Sequence, residues 1–296
     1  MPKHRPTQEQ HSFLHHLLRS YRLFWQNAVL VPWIFTIDLL FFVAFAVVYS
    51  LFAVKIVDIL LAVQQMISQL SSSIDIDAAP ESLTAVLAQK QAFSQYFTEL
   101  IYLFVELAAV ILVLWILFQA VSWHLTRKAV HGVKYRTQFW QHTARFGIVT
   151  LFWFALVLLF TYLIISFSAS ITSARLPLVK SPAVLLFSVM LTVVLYFVLV
   201  SYSFVGRHSI IQTMKNTFFY AFKRGHHFAP AYLILILKIA IVAGLAKAFN
   251  LSMAWTVIAT VSLFILALAW ARFFFIGVAH ELDAEESAFE ARARRG

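Results

Sequence analysis

The chain has no cysteine, only seven glycines in 296 residues, and a charged fraction of 12%. Without cysteine there is no disulfide framework, no thiolate catalysis and no Cys-ligated zinc or iron–sulfur site. With so few glycines, no Walker loop and no G-x-S-x-G elbow occurs. Acids are scarcer still, at 13 against 23 Lys and Arg. Ordinary globular chains are about a quarter charged, so soluble enzymes and disordered tails are excluded. A nucleic-acid binder, the first thought for a net charge of +10, concentrates its cations on a soluble face. Here they fall between long apolar runs, so no nucleic-acid partner is expected.

What the chain has is 61% hydrophobic residues. Crossing the hydrocarbon core takes about 20 predominantly apolar residues, and six runs are long enough: 28–54, 100–122, 147–169, 183–204, 229–248 and 253–277. The expected fold is therefore all-α, a polytopic membrane bundle of six transmembrane helices in one membrane domain spanning 1–296. Pro32, Pro182 and Pro230 stand near span entrances, where a first-turn proline costs little. Met1–Asn27 has basic residues but no uninterrupted apolar core of a signal peptide.

Lys and Arg favour the cytoplasmic side of a membrane. Segment 123–146 holds Arg127, Lys128, Lys134, Arg136 and Arg145 with no acid, and 205–228 holds Arg207, Lys215, Lys223 and Arg224, again with none. Lys3, Arg5, Arg19 and Arg22 add to the N-terminal segment 1–27, and Arg292, Arg294 and Arg295 to the tail 278–296. The 55–98 connection has only Lys55 and Lys90 against Asp58, Asp75, Asp77 and Glu81. Both termini should face the cytoplasm of a prokaryotic plasma membrane.

Three approaches to odd-numbered spans are aromatic and basic: Tyr21–Asn27, Tyr135–His142 and Phe219–Arg224. They read either as three helix-hairpin repeats or as independent interfacial helices. In the first, Thr7 and Gln10 have capping-box spacing. Phe13, Leu14, Leu17, Leu18, Tyr21, Phe24 and Trp25 then recur at helical spacing opposite His11, His15, His16, Arg19 and Arg22. That pattern suits an amphipathic helix in the headgroup region. Ile210, Ile211, Met214, Phe218, Ala221 and Phe222 repeat it before the fifth span. The expected contacts with anionic headgroups are Arg19, Arg22, Lys134, Arg136, Lys215, Lys223 and Arg224. In 55–98, Ile56, Ile59, Val63, Met66, Ile67 and Leu70 form one apolar face. Ser71-Ser72-Ser73 through Pro80 reads as a turn, and Leu83, Val86, Leu87, Phe93 and Phe97 form a second face. A helical hairpin results, which either docks a membrane-protein partner or folds over the bundle.

Charges inside spans are costly and are functional candidates by default. They are Asp38, Glu106, Lys238 and Arg272. Counting along the helices puts Asp38 and Lys238 at similar depth, so they could pair, with Arg272 as a competing partner. Such a pair is either an interhelical lock or part of a polar path. Ala240, Gly244 and Ala248 form a small-residue face suited to close helix packing. No set of catalytic residues is found, and no metal site or cofactor is expected. His280-Glu281-Leu282-Asp283 lacks the second histidine of H-E-x-x-H, and adjacent histidines such as His15–His16 and His226–His227 point about 100° apart on a helix.

Trp25-Gln26-Asn27, Trp140-Gln141-His142 and Phe222-Lys223-Arg224 each close an aromatic-basic stretch before a membrane hairpin. In this the chain resembles poorly characterised prokaryotic families related to the membrane domain of glycerophosphodiester phosphodiesterases. The resemblance implies a membrane fold and carries no catalytic residue. The expected function is a non-enzymatic scaffold or assembly component. The alternative is a transporter or channel for a small or lipidic solute, using the four intramembrane charges.

Overall fold

The computed structural model describes the backbone of residues 13–73, 81–132, 138–171, 182–248 and 253–293. Every element of length is a helix: α1 (Phe13–Gln26), α2 (Val31–Ser73), α3 (Glu81–His131), α4 (Phe139–Ile171), α5 (Pro182–Phe204), α6 (Ile210–Lys223), α7 (Gly225–Ala248) and α8 (Met253–Ala293). Among the described residues five stretches are long and apolar enough to cross a membrane: 31–68, 91–131, 139–164, 185–204 and 256–284. They coincide with five of the six expected runs. The remaining run, 229–248, is helical as part of α7.

The helices continue well past the apolar runs. α2 has 43 residues and α3 has 51, so at ~1.5 Å per residue each is about twice as long as the hydrocarbon is thick. Ser71, Ser72 and Ser73 lie in the last turn of α2, because nothing in a serine run breaks a helix as Gly or Pro does. The rest of the expected turn, 74–80, lies outside the described residues.

The chain divides into two compact units, one formed by 40–117 and the other by 1–39 with 118–296. In the first, Phe41, Ile59, Leu103 and Leu107 are buried, and Phe41 meets Trp115 edge-on at 5.5 Å. Ile56, Ile59, Val63 and Met66 share the less exposed face of α2, as their spacing suggests, whereas Ile67, expected on it, is exposed. On α3 that face is instead Ala92, Tyr96, Leu100, Leu103 and Leu107. Phe93 and Phe97, expected on it, are exposed. The small Ala92 and the three- and four-residue steps mark the inner stripe, and the two phenylalanines lie one position beside it.

The second unit is built around α8. Two-thirds (67%) of the apolar window in α8 is buried, against 11% in α2 and α3. Its core runs along Trp270, Ala271, Phe274, Phe275, Ile276, Val278 and Ala279. α1 lies lengthwise on α8, antiparallel to it: His16 meets Glu281, Phe24 meets Phe273 at 5.7 Å, and Tyr21 stacks on Trp270 at 5.4 Å. A tight turn follows, in which the N–H groups of Asn27, Ala28, Leu30 and Val31 all find backbone acceptors.

α6 doubles back along α5. Ser209 caps its N-terminus by accepting from the Gln212 N–H, Phe218 and Phe222 reach Phe197, and the Tyr196 hydroxyl donates to Ala221 O at 3.2 Å. The inner faces of both short helices mix polar and apolar residues. α6 buries Thr213, Asn216 and Thr217 beside Tyr220 and Ala221, while exposing Ile211, Phe218, Phe219 and Phe222. α1 buries His16 and Ser20 and packs Leu17, Leu23 and Phe24 on the core, while exposing Leu14, Leu18 and Trp25. The approach to the third expected span is different, since its described residues Phe139–His142 simply begin α4.

Gly206, with φ +93°, follows the end of α5 as the left-handed residue that stops a helix. A Cβ in that conformation is strained. Gly206→Ala should therefore lower stability by about 1–2 kcal/mol. Gly244→Ala, on a helix with nothing within 4 Å of the added carbon, should be neutral or better. Thermal unfolding in detergent checks both.

Candidate functional site

Three of the four charges singled out within the apolar runs have described surroundings within the α8 unit, and they separate into two arrangements. Asp38 (α2) and Arg272 (α8) are both fully buried. The guanidinium grips the carboxylate at two points: Nη1 donates to Oδ2 at 2.6 Å and Nη2 to Oδ1 at 2.9 Å. From α3, Gln119 Nε2 donates to Asp38 Oδ1 at 3.2 Å and Ser122 Oγ donates to it at 3.0 Å. Gln119 Oε1 in turn accepts from Arg272 Nη2 at 2.6 Å. Four side chains from three helices thus close a ring in which the two charges are paired, while Arg272 Nε has no acceptor among the described residues. A planar guanidinium suits this two-point grip better than an ammonium.

Lys238 does not join it. Its ammonium lies 3.7 Å from the centre of the Trp270 ring and 5.4 Å from that of Tyr21, and donates to the Tyr21 hydroxyl at 3.1 Å. The Asp38–Lys238 pairing envisaged from depth alone is thus replaced by Asp38–Arg272. α2 and α8 meet where Ile34 packs with Ala269 and Phe273, which brings Arg272 within reach of Asp38. Glu106 is exposed, in the other unit. It lines a cleft of about 500 Å³ on α3 with Ser94, Gln95, Thr98, Glu99, Tyr102 and Leu103.

Sequence reasoning missed Gln119 and Ser122. The signal was there, as two polar residues three apart, on one helix face, at the end of an apolar run. It also counted Arg127 among the surface cations, whereas its side chain is fully buried. Arg127 Nη2 donates to Tyr202 O at 2.9 Å and to Ser203 O at 2.8 Å. An α-helix leaves its last four carbonyls without internal partners. At the end of α5, Val205 N–H serves Ser201 O, Arg207 N–H serves Phe204 O, and Arg127 serves the two between.

Of the expected headgroup contacts, Lys134 and Arg136 lie outside the described residues. Arg22, Lys215 and Lys223 are exposed, and Arg224 is half-buried at the end of α6. Arg19 is partly exposed and pairs with Glu281, which also binds His16 at 2.6 Å. Asp283 holds Arg207 at 2.8 Å and His208 at 3.2 Å. The end of the apolar stretch of α8 is thus clasped to α1 on one side and to the α5–α6 turn on the other. The histidines meet in pairs: His16 with His227 at 5.1 Å, His131 with His280 at 4.6 Å and His124 with His142 at 5.2 Å. Among the described residues no group of three or more His, Asp or Glu is placed to hold a metal ion.

Compared with protein-family models, with curated proteins and with solved structures, the chain matches none.

Proposed function

We propose that the protein is a six-span, non-enzymatic membrane scaffold or assembly component, with both termini on the cytoplasmic side. The observation that carries this reading is the closed Asp38–Arg272–Gln119–Ser122 ring. A polar path needs groups that solute or water can reach, and these two charges are fully buried with their hydrogen bonds directed at one another. Such a ring fixes how three helices meet, the role best attested for buried polar groups. The orientation is supported by sixteen of the 23 Lys and Arg falling in the N-terminal segment, 123–146, 205–228 and the tail. The sixth span is α7. The exposed apolar residues of α1 and α6 fit immersion among lipids, with Arg22, Lys215 and Lys223 at anionic headgroups. Kinship with the membrane-domain families named above belongs to the same reading.

The partner surface in this proposal is the 55–98 hairpin, whose described part exposes Val57, Leu60, Leu61, Ile67, Phe93 and Phe97. Affinity purification after mild solubilisation should recover a stoichiometric partner from the wild type, and deletion of 64–96 should lose it while leaving the remainder folded. A monomer without a partner in both cases would sink the proposal. The transport reading retains one specific observation, the polar cleft on α3 that holds Glu99 and Glu106. It predicts solute flux in proteoliposomes that falls on Glu106→Gln; no flux for any cation tested would remove it.

A further inference from the structure

The geometry points to a binding site for the phosphate of an anionic phospholipid at Lys238, seated between α1, α7 and α8. An uncompensated cation within a span is costly to insert. The two cations in question are treated very differently. Arg272 is enclosed with its carboxylate, whereas Lys238 has no acidic partner among the described residues, and its side chain is only half-buried. The aromatic face of Trp270 and the hydroxyl of Tyr21 hold the ammonium in place. A ring face attracts a cation without neutralising it, and a tyrosine hydroxyl accepts only one of its three N–H groups. Two donors and a full positive charge remain for a ligand.

A ligand with several anionic oxygens takes up both remaining donors of the ammonium, which a single hydroxyl does not. The surroundings specify the rest of the molecule. Next to Lys238 on α7, Leu237 and Ile241 are 58% and 50% exposed, and on α1 Leu18 and Trp25 flank Tyr21 at 62% and 70%. An anionic head beside exposed aliphatic surface describes an amphiphile. α1 makes the site possible, because it lies lengthwise on α8 and so brings Tyr21 to the level of Trp270.

This site rests on α7 lying in the membrane, as in the proposal above, but not on the scaffold role. It is tested on the isolated protein, where no partner is needed. Delipidated protein in a neutral detergent is titrated with phosphatidylglycerol, phosphatidylcholine, oleate or inorganic phosphate, and bound lipid is read by native mass spectrometry and thermal shift. Phosphatidylglycerol should bind saturably at one equivalent and raise the melting temperature, while phosphatidylcholine binds at least tenfold more weakly and inorganic phosphate does not compete. Lys238→Gln should lose tenfold or more in affinity, Lys238→Arg should retain most of it, and Tyr21→Phe should weaken it two- to threefold. Lys55→Gln, in the other unit, should leave it unchanged.

Equal binding of the two phospholipids, or wild-type affinity in Lys238→Gln, overturns the site. Full competition by inorganic phosphate assigns it to a soluble anion, and preference for oleate to a carboxylate; either outcome overturns the phospholipid. Should Lys238→Gln fail to fold, the lipid-class comparison and Tyr21→Phe decide the matter, and wild-type affinity in Tyr21→Phe then counts against the site.

Discussion

Replacing Asp38 by leucine is expected to destabilise the protein by about 3–5 kcal/mol, the usual cost of removing one member of a buried ion pair. Arg272→Met should fall in the same range but at its lower end. A carboxylate left without its cation can neutralise itself by taking up a proton, and it keeps the donors of Gln119 and Ser122. A guanidinium cannot shed its charge and keeps only the Gln119 carbonyl. The double variant Asp38→Leu/Arg272→Met should recover most of the loss, since a buried pair is often no more stable than an apolar replacement of similar volume. Unfolding in mixed micelles with increasing denaturing detergent supplies the three values, and their non-additivity is the coupling energy. Lys238→Met in place of Arg272→Met should give coupling near zero with Asp38→Leu, because the two share no partner. Additive losses in the Asp38–Arg272 cycle would show that the ring does not act as a lock.

The sequence already singled out both charged members of that ring, because a charge inside an apolar run is rare enough to stand out. Which charges would meet was less legible. Depth along a helix can be counted at ~1.5 Å per residue, but the count needs a starting point, and α2 begins only after the turn at 27–30. It also gives no rotation about the helix axis, and rotation decides that Arg272 faces Asp38 while Lys238 faces Tyr21 and Trp270. The helices themselves were readable because an apolar run over 20 residues long has few alternatives. The extensions of α2 and α3 were legible too, as helical spacing over 56–70 and 83–97, whereas that of α8 past 277 was not. The amphipathic patterns of α1 and α6 were visible as well, but a pattern does not say which face turns inward. In water the apolar face would. Here the inner face of α6 combines Thr213, Asn216 and Thr217 with Tyr220 and Ala221 while Phe222 is outside, and only the structure shows it.

Arg127 is the clearest case of a residue whose type was read correctly and whose role was not. In sequence it is one cation among five in 123–146, interchangeable with Lys128 beside it. In the structure Lys128 is exposed, while Arg127 is buried and completes the end of α5. Arg127→Met should therefore cost about 3 kcal/mol or more. It leaves the Tyr202 and Ser203 carbonyls without their donor in a dry interior, at about 1–3 kcal/mol each. Arg127→Lys should recover part of this, since one ammonium can reach one carbonyl but lacks the fork that serves two. Lys128→Met should stay within about 0.5 kcal/mol, as expected for a surface change. Hydrogen exchange locates the effect: protection at Val205 and Arg207, whose N–H groups bond to Ser201 and Phe204, should fall in Arg127→Met and remain in Lys128→Met. Equal stability and equal protection in the two variants would mean that the end of α5 is held without Arg127.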